Sequence, residues 1–168
     1  VTSTEKIIPT LSADPLNGGR ITVTDIGTID MTLGDNSPAG GNIGNSDTDI
    51  SMIQLNLSVS DVEPITVNNL SFLHQGSGNI ATDVAAIELV LDNNNNGTYE
   101  AGTDAVIATI NVQPTQSDTI TFSGIDQDLA RDTDYDWLVV YDYAGTAAVG
   151  KNYNLKIFNS GFISAVGD

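Results

Sequence analysis

The chain has no cysteine, and its 168 residues include a single histidine, His74. It can therefore form no disulfide framework, no thiolate metal site and no cysteine nucleophile. One histidine is too few for the usual transition-metal sites, and a Ser-His-Asp triad would have to use it although no G-x-S-x-G turn is present to display the serine. We expect His74 to be structural and the protein not to be an enzyme.

Basic residues are scarce as well. Five Lys and Arg stand against 22 Asp and Glu, so the net charge is −17. Such a chain is repelled by the phosphates of nucleic acids and by anionic membrane surfaces, and no apolar run approaches the roughly 18 residues of a membrane span. We therefore expect neither nucleic acid binding nor membrane insertion. The excess charge either keeps the protein soluble, forms the acidic coat of a halophile, or attracts divalent cations.

Helical periodicity is nearly absent, whereas apolar and polar residues alternate in many short runs. The run Ile53–Val59 has one apolar face and one small polar face, as a half-buried strand does. In the run Trp137–Tyr141 both faces are apolar, which marks a central strand and places Trp137 in the core. Roughly eight to ten such runs, separated by Asn- and Gly-rich turns, predict an all-β fold: a β-sandwich that is immunoglobulin-like or jelly-roll-like.

Local features add detail to this prediction. The Asn68–Asn69 step interrupts the alternation of its strand and predicts a β-bulge. Two short helical turns are predicted, one at Ala81–Ala86 and one at Asp126–Arg131.

Residues 1–19 differ from the rest of the chain, because they hold two prolines and little alternation. Ile7, Ile8 and Leu11 form one apolar patch, and the segment ends in a flexible Asn-Gly-Gly step. We interpret residues 1–19 as an arm joined to a β-sandwich domain of residues 20–168. The arm either packs on its own sandwich or acts as a donor strand that adds to a sheet edge of a neighbouring copy.

The sequence DNNNNGTYEAGTD at residues 92–104 follows one predicted strand and precedes another. Oxygen-bearing side chains recur at its first, third, fifth and ninth positions, and a glycine stands sixth. This is the spacing of a loop that curls around calcium and supplies roughly six to eight oxygens. The predicted ligands are Asp92, Asn94, Asn96, Glu100, Asp104 and the backbone carbonyl of Thr98.

The calcium loop departs from a helical EF-hand, because its closing carboxylate Asp104 comes one residue after Thr103 at the twelfth position and its flanks are strands. The alternative interpretation is a plain hairpin loop, since Asn and Gly are common turn residues. With one carboxylate among the first three ligands, the expected affinity is in the range of about 10⁻⁴–10⁻³ M that suits extracellular calcium.

The stretch from Ile65 to Leu155 contains VNNLSF at 67–72, IELVLDNNNNG at 87–97 and LVVYDYAGTA at 138–147. With these motifs it resembles the repeated calcium-loop β-sandwich modules, immunoglobulin-like in fold, of large secreted bacterial and archaeal surface proteins. The resemblance covers just over half of the chain. It implies an extracellular location, either secreted or at the cell surface. Those modules usually occur in tandem, whereas this chain holds one copy.

Two weaker patterns involve further candidate ligands. The acidic series Asp126–Asp136 could hold a second calcium ion together with Asp142, although a solvated loop is the simpler interpretation. The sequon at Asn56 lies on the polar face of its strand, so glycans are candidate partners.

Together these patterns predict a non-catalytic extracellular structural subunit whose partners are copies of itself. The arm would add as a strand to another copy, and calcium would stabilise the resulting filament or surface layer. The alternative is an adhesin or carbohydrate-binding module of a larger cell-surface protein, in which the arm is a linker. A hydrolase with paired carboxylates is the third hypothesis, but nothing in the sequence singles out such a pair.

Overall fold

The structure is a computed structural model that describes residues 26–112, 116–157 and 160–167. The elements in chain order are β1 (Ile29–Leu33), β2 (Ile50–Val59), β3 (Ile65–Gly76), α1 (Ile80–Asp83), β4 (Val84–Leu91), β5 (Ala105–Asn111), β6 (Thr119–Leu129), β7 (Thr133–Tyr143), β8 (Tyr153–Lys156), a 3₁₀ turn (Ser160–Phe162) and β9 (Ile163–Gly167). The predicted all-β sandwich is confirmed. The predicted boundary between arm and sandwich, at residues 19 and 20, lies outside the described residues.

The strands form two antiparallel sheets. The first sheet has the order β1-β2-β7-β4-β5. In the second sheet β3 lies in the middle, with β6 on one side and with β8 and β9 sharing the other side. The sheets approach each other where β5 contacts β6 and where β2 contacts β8. The first sheet is therefore wider than the second, and β1 is its outermost strand on the side of β8.

The core lies between the inward faces of the two sheets. β7 is the central strand of the first sheet, as its two apolar faces predict. Trp137 and Tyr141 point into the core and are fully buried. Leu138 and Val140 are also buried, but they belong to a separate small cluster with Val90 on the outer face of the same sheet. An outer face buried in this way needs a cover, and that cover is the loop between β4 and β5.

The predicted β-bulge lies in β3, and the first predicted helical turn overlaps α1. The β-bulge is confirmed, because the pairing of β3 with both β6 and β9 shifts register between Val67 and Asn69. The helical turn predicted at Ala81–Ala86 is the single turn Ile80–Asp83, whose N-cap Asn79 accepts a hydrogen bond from the backbone N–H of Ala81. The last three residues of the predicted turn belong to β4 instead.

The helical turn predicted at Asp126–Arg131 is wrong. β6 continues through Leu129, which pairs with Ile65 and is fully buried. Strand pairing and burial outweigh the polar local composition that suggested a turn. The turn comes later, between β6 and β7, where Asp132 has a φ of 55°.

Candidate metal site between β4 and β5

The candidate calcium loop, residues 92–104, occupies the whole connection from the end of β4 to the start of β5. It leaves the sheet at Asp92, whose backbone N–H donates to the carbonyl of Asp136 on β7 at 2.8 Å. At its far end an isolated bridge joins Ala101 and Asp104 before β5 begins. The loop thus joins two neighbouring strands of the first sheet, and the bridge closes its second half on itself.

Asp92, the predicted first ligand, is a buried carboxylate that organises the loop. Its Oδ2 accepts hydrogen bonds from the backbone N–H of Gly97 at 2.9 Å and from Nε2 of Gln54 at 2.8 Å. Its Oδ1 accepts from the backbone N–H of Asn96 at 3.2 Å. Such bonds curl residues 92–97 around the carboxylate, which explains why an acidic residue can be buried at this position.

Gly97 makes the curl possible. Its φ is +77°, a conformation that glycine adopts without strain. The preceding turn is held from outside by Asn36, whose Nδ2 donates to the carbonyl of Asn95 at 2.7 Å. The Gly97 backbone lies so close to the Asn36 carbonyl that no side chain fits between them. The glycine at the sixth position therefore serves both the curl and the docking of the loop.

Three of the predicted ligands meet at the Glu100 carboxylate. Its Oε2 accepts from Nδ2 of Asn94 at 2.7 Å and from Nδ2 of Asn96 at 3.1 Å. A 180° rotation of each amide group exchanges its nitrogen and oxygen. With the Asn94 amide reversed, its carbonyl oxygen would face the carboxylate, an arrangement that needs a cation between them. The Asn96 amide cannot reverse in place, because its oxygen already accepts a hydrogen bond from the backbone N–H of Thr98.

Asp104 closes the loop. Its Oδ1 accepts from the backbone N–H of Asn93 at 3.0 Å, and its Oδ2 accepts from the backbone N–H of Glu100 at 2.8 Å. Thr98, the predicted carbonyl ligand, donates its own N–H to Oδ1 of Asn96 at 2.8 Å. Asp104 thus holds together the two halves of the loop.

The structure brings the predicted ligands into one loop, but it does not gather all of their carboxylates at one point. Within residues 26–112, 116–157 and 160–167, no three His, Cys, Asp or Glu side chains are grouped as metal ligands. Asp92 and Asp104 use their oxygens for backbone N–H groups, and Glu100 uses one oxygen for the two amides. A calcium ion would therefore have to share the carboxylates of Asp92 and Asp104 with the backbone and to replace the amide hydrogens at Glu100.

Gln54 is the part of this site that sequence reasoning missed. It lies on the polar face of β2 and was expected to face solvent, yet it is fully buried. Its Nε2 donates to Asp92 and also to Oδ1 of Asn95 at 2.9 Å, while its Oε1 accepts from the backbone N–H of Asn36 at 2.9 Å. No local pattern distinguishes this glutamine from the other polar residues of β2.

Tyr99 is the second missed residue. It packs on the small outer cluster of Val90, Leu138 and Val140, and its backbone N–H donates to Oγ of Ser51 at 2.9 Å. The second apolar face of β7 is the signal that could have revealed it. Such a face must be covered, and Tyr99 is the aromatic residue of the adjoining loop. The loop therefore combines a candidate metal site with the lid of a second hydrophobic cluster.

The surface beside Tyr99 is strongly acidic. The pKa of Glu88 is raised, first by its partial burial and then by the nearby charges of Asp142 and Asp49. Burial raises the pKa of Tyr99, and the same three carboxylates together with Asp104 raise it further. Crowding of carboxylates at the foot of the loop gives a local field that attracts cations.

The remaining predicted residues lie elsewhere. Ile7, Ile8 and Leu11 are outside the described residues. In the acidic series, Asp128 on β6 accepts from the Thr66 hydroxyl at 2.6 Å, in the second sheet.

The second calcium site suggested for that series does not form with Asp142. Asp136 and Asp142 lie on one strand, six residues and therefore about 20 Å apart. His74 is buried near the end of β3, with its ring 5.7 Å from that of Tyr153.

No protein-family model matches this chain, and none of the curated proteins is significantly similar to it. None of the helices in the described part of the chain is long and apolar enough to cross a lipid bilayer.

Proposed function

We propose that this chain is a non-catalytic structural subunit, located outside the cell, that assembles with copies of itself into a filament or surface layer. In this proposal the arm of one copy adds as a strand to the next copy. Calcium bound by residues 92–104 stabilises each subunit.

The observation that carries the proposal is the uncovered edge strand β1. Among the described residues β1 pairs with β2 alone, and no described strand takes up its other edge. Leu33 is paired with Leu55 and lies on the same face of the sheet. Leu55 is buried in the core, whereas Leu33 is 65% exposed. An edge strand with an uncovered apolar residue on its core-facing side is a template for an added strand.

The arm has the composition that such an edge requires. Ile7, Ile8 and Leu11 provide apolar side chains within a five-residue stretch that contains no charged residue. Burial of an isoleucine or leucine side chain contributes about 1.5–3 kcal/mol. A few such side chains, together with main-chain hydrogen bonds, supply the favourable free energy that opposes the cost of association, about 4–15 kcal/mol.

Calcium is proposed for this loop because the loop covers an apolar cluster and brings candidate ligands together. The loop closes over its apolar cluster through Tyr99. Two of its candidate ligands, Asn94 and Asn96, already contact a third, Glu100. A bound cation would fix this lid and would also reduce the repulsion between subunits that each carry a charge of −17. A subunit that works outside cells would meet calcium at about the millimolar level that weak sites need.

Sedimentation velocity of the intact chain tests the proposal. In millimolar calcium the chain should sediment as large assemblies, and the triple variant Ile7→Asp, Ile8→Asp, Leu11→Asp should sediment as a monomer. A matched control, Thr2→Asp, Ser3→Asp, Thr4→Asp, adds the same charge to the arm outside residues 7–11 and should still assemble. A wild-type chain that stays monomeric would contradict the proposal and favour the adhesin or carbohydrate-binding alternative.

A further inference from the structure

An open groove of about 870 Å³ lies at the end of the sandwich where β1 ends and β2 begins. Its walls are the start of β2, the loop 37–45 that precedes it, and the segment 147–155 that leads into β8. Leu33, Ile43 and Val149 line this groove, and they are three of the six most exposed large apolar side chains among the described residues. Half of the strongly exposed apolar side chains in the described part of the chain therefore lie at this one groove.

The floor of the groove belongs to an incompletely covered core. Met52, Tyr153 and Leu155 pack against the main hydrophobic cluster but remain only partly buried. Met52 also contacts Tyr143, whose hydroxyl lies 3.9 Å from its sulfur. An extended apolar segment laid along the groove would complete the burial of these side chains, as a missing strand would.

The charge of the groove differs from that of the rest of the chain. None of the described residues that line it is Asp or Glu, and Lys151 is the one charged residue among them, although the chain as a whole carries 22 acidic residues. Two copies with a net charge of −17 repel each other over most of their surfaces. At this groove an uncharged apolar segment such as residues 7–11 can approach without that penalty.

The described chain starts at the opposite end of the sandwich. The backbone N–H of Gly27 donates to Oε1 of Glu63 at 3.0 Å, and Thr28 exchanges hydrogen bonds with Ser60. From there β1 runs toward the groove and reaches it at Leu33. The described chain therefore begins at one end of the sandwich, and the groove opens at the other.

We infer that this groove is the acceptor for the arm of a second copy, so that the subunits join head to tail. The inference rests on the proposed function and adds the place and the polarity of the contact. A head-to-tail contact uses two different surfaces, and it produces an open filament unless the rotation happens to close a ring. An arm that filled its own groove would have to double back along the whole length of β1.

Site-specific cross-linking tests the inference cleanly, because the chain has no cysteine of its own. One intact chain carries Ile8→Cys in the arm, and a second, differently tagged intact chain carries Val149→Cys in the groove. The two are mixed in chelator, brought to millimolar calcium and oxidised. The matched control is Val106→Cys on β5, another exposed valine, which lies outside the groove.

The expected result is a disulfide-linked heterodimer with Val149→Cys and only background with Val106→Cys. If chains assemble but cross-link no better to the groove than to the control, the groove is not the acceptor, although the proposed function survives. If instead a double variant Ile8→Cys, Val149→Cys closes within a single chain, the arm belongs to its own groove and the head-to-tail contact is refuted. A chain that remains monomeric in calcium would overturn the proposed function itself.

Discussion

Replacement of Gly97 by alanine is predicted to separate the candidate calcium loop from residue Asn36, which holds it in place. A Cβ atom at this position would lie 2.8 Å from the carbonyl carbon of Asn36 and closer still to its oxygen. Both atoms are backbone, and Asn36 is fixed by its N–H, which donates to Gln54 at 2.9 Å. The new methyl group can therefore be accommodated only if one of the two segments moves.

Gly102 in the same loop provides the matched control. It also has a positive φ, +90°, but a Cβ there would meet nothing within 4 Å. Gly102→Ala should cost only the left-handed backbone penalty of about 1–2 kcal/mol, less about 0.4–1 kcal/mol from the stiffer unfolded chain. Gly97→Ala pays the same penalty and also loses the hydrogen bonds that dock the loop, each worth about 1 kcal/mol. We expect a total loss of about 3 kcal/mol for Gly97→Ala.

Urea unfolding in the presence of chelator measures both variants without any contribution from metal. Trp137 is the only tryptophan and is fully buried, so its fluorescence reports the unfolding of the core. Gly97→Ala should lower the free energy of unfolding by at least about 1 kcal/mol more than Gly102→Ala does. Equal losses in the two variants would refute the close docking of the loop against Asn36.

Three further predictions concern the outer cluster, the metal and the buried histidine. Tyr99→Ala should lower the free energy of unfolding by about 2 kcal/mol, since a half-buried aromatic side chain is lost from its apolar contacts, whereas Tyr99→Phe should leave it nearly unchanged; urea unfolding checks both. Calcium at about ten times its dissociation constant should stabilise the chain by about 1.4 kcal/mol in a thermal scan. That gain should disappear in Asp104→Asn and persist in Asp128→Asn, a control outside the loop. Burial lowers the pKa of His74 below 6.5 in the folded chain. As the pH falls below about 6.5, the unfolded chain therefore binds a proton before the folded chain does, and the folded chain loses stability. His74→Phe should remove this part of the pH dependence, and parallel stability profiles for His74→Phe and the wild type would contradict it.

The fold was predictable because period-two alternation reports directly which face of a strand is buried. The same logic predicted that β7 is the central strand, because Leu138 and Val140 make its second face apolar. It also predicted the β-bulge, because the alternation breaks at Asn68–Asn69. It failed at Asp126–Arg131, where the polar residues of an exposed strand face resemble those of a turn. Only the pairing of Leu129 with Ile65 distinguishes the strand from a turn, and the local sequence does not specify pairing between distant segments.

The candidate site was predictable in its position and less so in its arrangement. The spacing of oxygen-bearing residues located the loop at residues 92–104, between two strands. The burial of Gln54 under that loop depends on contacts with Asn36 and Asp92, which are distant from it in sequence. The partners of each carboxylate likewise follow from how the loop folds, because backbone N–H groups compete with a cation for the same oxygens.

The most direct test of the central claim is negative-stain electron microscopy of the intact chain at micromolar concentration, once in millimolar calcium and once in chelator. The account predicts filaments or sheets in calcium, with a repeat along the filament of one subunit, and their loss or shortening in chelator. Uniform single particles under both conditions would contradict it.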